Sequence, residues 1–213
     1  MTTITFYFDF ISPYAYLAFE DLPRQLMGVS HRVVYQPILF GAVLSHHGHK
    51  GPAEIPGKRA WTYRQVLWQA KQMGVVLDMP SAHPFNPLSL LRLAGACSED
   101  GAPNRYVCET IFRHVWQGGY AAEDAQRFAQ LEASLAPKRG VQDADVKQQL
   151  KSTTDAAIGL GVFGVPTFKV DDKLFWGLDA LPMLRQYISE DPLFDAADWQ
   201  SVLKIKAGIT RKP

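Results

Sequence analysis

The spacing of apolar positions along the chain shifts from strand-like to helical and back again. Ile4-Thr5-Phe6-Tyr7-Phe8 is a β-branched and aromatic run, the composition of a strand. Beyond Ser12-Pro13 the apolar residues take helical spacing, with Phe19, Leu22 and Leu26 on the side expected to be buried. Ser12 is a good N-cap, and Pro13 suits the first helical position, where its missing N–H costs nothing. Pro23 removes one helical hydrogen bond and crowds the preceding turn, so a kink or restart near Glu20-Asp21 is expected, with Gly28 as the stop. A second strand around Val33-Val34-Tyr35, broken by Pro37, completes a strand–helix–strand unit of the parallel kind.

From Gly41 to Arg59 the periodicity vanishes, and glycine, proline and histidine dominate, which reads as a long loop. Helical spacing returns at Tyr63, Val66, Leu67, Ala70 and Met73, with Gly74 as the stop. Asn86-Pro87 reads as cap and first residue of a helix with Leu90, Leu93, Ala94 and Cys97 on one face. Cys108, Ile111, Phe112, Val115 and Trp116 mark the next helix, Phe128, Leu131 and Leu135 another, and Asp143 caps one carrying Val146, Leu150, Thr153 and Ala157. Val165–Val170 and Lys173–Trp176 flank Asp171-Asp172 as a hairpin. Asp179 then caps a final helix with Leu181, Leu184 and Ile188 inward, and Phe194 and Trp199 pack the tail. The order is β-α-β, a helical block, then α-β-β-α: an α/β, thioredoxin-like domain with a large all-helical insertion. Residues 1–40 and 143–213 are assigned to the thioredoxin-like domain, and 41–142 to the loop and helical insertion. The strands at the two chain ends must share one sheet, because neither set is stable alone.

Composition narrows the partners. With 213 residues, 47% hydrophobic and 20% charged, the chain is an ordinary globular one, and a formal charge of +1 argues against nucleic acid or an anionic membrane. No apolar stretch is long enough to span a bilayer, and Asp9 interrupts an N-terminal run that lacks the basic lead of a signal peptide. A cytoplasmic protein is expected, with Cys97 and Cys108 as two reduced core thiols. His46-His47-x-His49 offers metal-ligating side chains, but no acidic or cysteine ligand joins them at a recognisable spacing, so a solvated loop and no metal is the reading taken.

Three short motifs in order, Phe8-Asp9-Phe10-Ile11-Ser12-Pro13-Tyr14, Val162-Phe163-Gly164-Val165-Pro166-Thr167 and Trp176-Gly177-x-Asp179, resemble the 2-hydroxychromene-2-carboxylate isomerase family, grouped with kappa-class glutathione transferases and DsbA-like thioredoxin folds. The resemblance implies glutathione as cofactor, a cis Val165-Pro166 bond, and a free Val165 backbone edge on which the cysteinyl unit pairs like an added strand. Ser12 would then donate to the thiolate at a helix N-terminus, which lowers a thiol's pKa. Asp179 would hold the γ-glutamyl amine, with Trp176 and Gly177 lining the same pocket. A dithiol mechanism is excluded by chemistry, since the turn reads Ser12-Pro13-Tyr14-Ala15.

The chain departs from the family pattern at Leu178, where a small or amide side chain is usual, and in the substrate half, where the family's lysine falls at Leu44 and its asparagine near Glu54. Lys58 and Arg59 are the nearest cations for a substrate carboxylate. Expected, then, is a glutathione-dependent cis–trans isomerase of 2-hydroxychromene-2-carboxylate-like substrates, acting as a homodimer, with Trp61, Trp68 and Trp116 compatible with an interface and equally with core packing. A kappa-type transferase or peroxidase and a non-catalytic thioredoxin-like peptide-binding module are the alternatives. Ser12 as a cap alone is the bland reading of the central residue.

Overall fold

In the computed structural model, which describes residues 1–209, the run Thr2–Phe8 forms strand β1, buried on both faces from Phe6 to Phe8. The chain continues through α1 (Pro13–Gln25), β2 (His31–Pro37), α2 (Phe40–His46), α3 (Pro56–Met73), α4 (Leu88–Ala96), α5 (Arg105–Trp116), α6 (Ala125–Leu135), α7 (Ala144–Gly159), β3 (Thr167–Val170), β4 (Lys173–Trp176), α8 (Leu181–Ile188) and α9 (Ala197–Ser201). β1 pairs in parallel with β2, from Thr2 opposite His31 to Phe8 opposite Pro37. On its other side it pairs antiparallel with β3, Tyr7 opposite Thr167, and β3 pairs antiparallel with β4. The sheet order is β2-β1-β3-β4, so both chain ends contribute to one sheet in the α/β, thioredoxin-like arrangement expected.

β1 is central because both its faces carry core. On one side Phe6 stacks on Phe168 at 4.7 Å between ring centroids, and Phe112 of α5 meets Phe8, Phe10 and Phe19 at 5.3, 4.8 and 5.1 Å. On the other, Tyr7 joins Ile38, Val43, Ala157, Val162 and Val165 in a smaller cluster. Tilted and edge-to-face rings add about 0.5–1.5 kcal/mol each to the burial itself.

Several expectations are corrected. α1 does not restart but runs as one helix through Pro23 to Gln25. The Phe19 carbonyl, which would lose its helical donor at Pro23, accepts instead from the Arg105 guanidinium at 3.3 Å, and that guanidinium also lies 4.1 Å over the Phe19 ring. The stretch 41–59 is no long loop: it holds α2, a 3-10 turn at Pro52–Glu54 and the start of α3 at Pro56. α2 has no side chain of its own at its N-terminus, and its first donors are taken by Asp9 and Thr154, 31 and 115 residues away in sequence. Leu67 lies on the exposed face of α3. α4 begins at Leu88 with Pro87 as cap, one residue later than expected.

Asp143 makes no capping bond to α7, because its carboxylate turns back to the Gly140 N–H at 2.8 Å. Asp179 does not cap α8. It sits inside a 3-10 turn, Leu178–Ala180, that precedes the helix. Trp116 is no interface residue but fully buried, its indole N–H donating to the Phe10 carbonyl at 3.0 Å. Trp61 and Trp68 are 65% and 61% exposed. Phe194 does pack the tail, against Phe175, Tyr187 and Trp199.

Cys97 and Cys108 are both free. No helix among the described residues is long and apolar enough to cross a membrane. Among those residues no three His, Cys, Asp or Glu side chains are placed to hold a metal ion, the His46, His47 and His49 rings included.

Phe112 joins β1, α1 and α5 in one ring cluster with no exposed surface. Phe112→Ala is therefore expected to cost about 3–5 kcal/mol of stability, read as a lower urea midpoint with an unchanged slope.

Candidate functional site

The turn from β1 into α1 is built from polar groups that face each other across the chain. Ser12 adopts the extended conformation of a cap (φ −90°, ψ 114°), and its hydroxyl oxygen accepts the Ala15 N–H at 3.2 Å. That bond uses a lone pair only, so the hydroxyl hydrogen stays available as a donor. The cap and donor roles coexist. Asp9 accepts the Ser12 N–H on its carbonyl at 3.1 Å and the N–H groups of Ile11 and Phe40 on its carboxylate at 3.1 and 2.9 Å. Burial pushes the Asp9 carboxyl up to about 7 against the pull of those backbone donors.

His83 closes the turn from the other side. Its Nε2 lies 2.8 Å from the Ile11 carbonyl, which can only accept, so Nε2 carries a proton, while the Tyr63 hydroxyl lies 2.8 Å from Nδ1 and donates to the His83 carbonyl at 2.9 Å. Burial holds His83 below its usual pKa, which favours the neutral ring.

A cavity of about 980 Å³ opens over this turn. Ser12, Val165, Trp176 and Lys58, four of the residues singled out in the sequence, line it. Val165-Pro166 is cis, as the resemblance implied, and His83-Pro84 is a second cis bond. Among the described residues the Val165 N–H and C=O take no hydrogen-bond partner, while the next carbonyl, of Pro166, accepts the Gly177 N–H at 2.9 Å. The edge at Val165 is therefore open to an extended ligand. Gly164 lets Trp176 lie against it, since a β-carbon there would meet the indole nitrogen at 2.5 Å. Phe163 stands beside that indole at 4.9 Å, an aromatic pair at the cavity wall.

The other expected residues stand off the wall. Pro166, Gly177 and Asp179 are not among the residues that line the cavity. Gly177 has φ +105° and a β-carbon there would collide with the Asp179 carboxylate, so only glycine fits. Asp179 is exposed, uses no oxygen as a cap, and adds its charge to the burial that raises the Tyr14 phenol. Arg59 is also off the wall, near enough to Tyr63 to oppose the rise that burial causes there. Leu44 and Glu54 both line the cavity, so the two departures in the substrate half are departures of the wall itself. Glu54 there holds the Gly51 N–H at 2.6 Å, and Lys50 joins Lys58 as a second cation.

A model of the DsbA-like thioredoxin domain matches residues 3–189. The chain belongs to the DsbA-like thioredoxin family. Within this family it is 39% identical over 214 residues to glutathione S-transferase kappa 1 of Caenorhabditis elegans, covering 90% of this chain and 93% of that one. It is 30% identical over 194 residues to a 2-hydroxychromene-2-carboxylate isomerase of Pseudomonas putida, covering 85% and 92%. The structure of a selenomethionine 2-hydroxychromene-2-carboxylate isomerase superposes with a TM-score of 0.77 over 92% of this chain and 98% of that one, at 24% identity, a likeness of fold.

Asp9, His83 with Tyr63, and Phe163 went without a role in the sequence reading. A charged residue at the end of an apolar strand was the visible signal for Asp9. His83-Pro84 lies in a stretch without periodicity and carried none.

A carboxyl raised to about 7 in the folded protein from 3.8 keeps its proton longer folded than unfolded. Its stabilising contribution is complete below about pH 4 and is lost as pH rises through about 7. Urea midpoints of the wild type should carry a falling component across that window, on the order of 4 kcal/mol at most, which Asp9→Asn should lack.

Proposed function

We propose that the protein is a glutathione-dependent cis–trans isomerase of 2-hydroxychromene-2-carboxylate-like substrates, of the kind used in degrading aromatic compounds, with Ser12 activating the cofactor's thiol. The observation that carries this reading is the shared wall: a serine hydroxyl with its hydrogen to spare, at a helix N-terminus, and an unpaired Val165 backbone edge open onto one cavity. The residues fit a small γ-glutamyl peptide. Val165 offers both strand partners to a cysteinyl unit, and Asp179 offers a carboxylate without a capping bond to an amine. Trp176 and Gly177 border the same end. The relatives' names point the same way.

Bound glutathione supplies a thiolate whose reversible addition to a conjugated carbon leaves the former double bond free to rotate. The chain's part is electrostatic. Ser12 donates its hydroxyl hydrogen to the sulfur, and the unpaired N–H groups of the first turn of α1 add positive potential, which together favour the ionised thiol. Lys58, with Lys50 beside it, meets a substrate carboxylate, while Phe163, Trp176 and Phe85 give an aromatic body apolar contact. Arg59, the next residue along α3, is the second candidate for that carboxylate.

The 39% identity to a kappa-class transferase supports a second reading, in which the conjugate leaves. An absorbance assay with the hydroxychromene acid separates them. Turnover without consumption of glutathione is expected, whereas stoichiometric consumption assigns the protein to the transferases. Absence of calorimetric binding at millimolar glutathione would reject both and leave a peptide-binding module.

Ser12→Ala should lower turnover by about 10²-fold with glutathione still bound, as for loss of one charge-stabilising donor. Loss of a cap alone costs about 1 kcal/mol of stability and leaves the rate per folded molecule unchanged. A fully active, less heat-stable variant would end the activation role.

The same reading has the protein work as a homodimer in the cytoplasm, where glutathione and free thiols persist. Trp61 and Trp68, seven residues apart on the exposed face of α3, supply an apolar surface for the dimer. Light scattering at micromolar concentration should give twice the chain mass, and Trp68→Glu should halve it.

A further inference from the structure

One buried carboxylate at this site has no part in the mechanism above. Asp9 has no surface open to solvent, yet it belongs to the cavity wall three residues before Ser12. Its oxygens take the N–H groups of Ile11 and Phe40, so it sits between the first turns of α1 and α2. Several titratable groups line the same cavity: Tyr14 from α1, His49, Lys50 and Glu54 from the segment after α2, Lys58 from α3, and His83 from the turn before α4. Burial raises the Asp9 carboxyl and backbone donors from Phe40, Ile11 and Phe10 lower it, leaving it at about 7. Two negative charges sharing one desolvated wall oppose each other's ionisation, so protonation of one is coupled to deprotonation of the other.

We propose that Asp9 is the proton-linked partner of the thiolate: as a thiol ionises over Ser12, Asp9 takes up a proton, and the wall carries one negative charge instead of two. The inference rests on the glutathione-dependent reading. In the exchange the S–H bond breaks with its electron pair left on sulfur, an O–H bond forms on Asp9, and nothing is oxidised or reduced. Asp9 acts through the charge of the site and does not touch the substrate. Each carboxylate oxygen is held by one backbone N–H, which fixes the group in place and opposes the rise that burial causes, so the carboxyl stays within reach of both protonation states. With its carboxyl at about 7, the group is about half ionised at neutral pH and mostly ionised above it, so it can accept a proton there.

Proton counting tests this without recourse to turnover. Glutathione is titrated calorimetrically into the full chain at pH 8 in buffers of different ionisation heat, and thiolate is followed by its absorbance near the ultraviolet edge. A thiol in solution is mostly protonated there, so a thiolate formed without a local acceptor releases about one proton. The wild type should release less than half a proton per thiolate formed, and Asp9→Asn about one. The wild type alone gives a second measurement should that variant fold poorly: at pH 5.5, with Asp9 already protonated, release per thiolate should rise to about one. A full proton released by the wild type at pH 8, or a count independent of pH, overturns the proposal and leaves the glutathione reading standing. No binding, or binding without thiolate, overturns that reading and this inference with it.

Discussion

Everything at the site depends on how the polar backbone of one short turn is satisfied. Between β1 and α1 the chain passes from sheet to helix inside the core, where an unpaired N–H or C=O costs about as much as a lost hydrogen bond. The partners come from across the sequence. Asp9 takes the N–H groups of Ile11, Ser12 and Phe40, Trp116 of α5 donates to the Phe10 carbonyl, and His83 donates to the Ile11 carbonyl. With these bonds made, the turn has no freedom to collapse onto the cavity, and Ser12 is left facing it with one hydrogen to give.

The same economy organises the opposite wall. The chain reverses through Val165-Pro166 into β3, where Thr167 donates its hydroxyl to the Gly164 carbonyl at 2.7 Å and Pro166 accepts from Gly177. Those bonds stop one residue short of the cavity. Val165 keeps its strand-forming groups unpaired beside a helix N-terminus, so a peptide-like ligand meets a sheet edge and a positive potential together. Lys50 and Lys58 line the same cavity, as does the aromatic pair of Phe163 and Trp176. An anion with an apolar body suits this distribution of charge and surface.

The fold was legible wherever local chemistry agreed with the tertiary result. Ser12-Pro13 announces a helix start because cap and first-position proline act within four residues. The hairpin was legible from two β-branched and aromatic runs around a pair of aspartates. α2 was not, because its seven residues carry little periodicity and its N-terminal donors are satisfied by Asp9 and Thr154. The restart expected near Glu20-Asp21 does not occur for a related reason: the carbonyl that Pro23 strands is taken up by Arg105, 86 residues away. Trp116 and Trp68 are the same residue type on helices, and only packing separates the buried one from the exposed one.

By itself the sequence determined the four strands and most of the helices in order, the sharing of one sheet by strands from both chain ends, and the serine at a helix start where a dithiol would need cysteines. These follow from short-range propensities, periodicity and side-chain chemistry, which need no knowledge of what lies opposite. Only the tertiary structure decided which candidates share a wall. It brought Ser12, Val165, Trp176 and Lys58 onto one cavity, left Asp179 and Arg59 out of its lining, and gave Asp9 and His83 their places. Burial and hydrogen-bond partnership depend on elements tens of residues apart. No local pattern of residues encodes them.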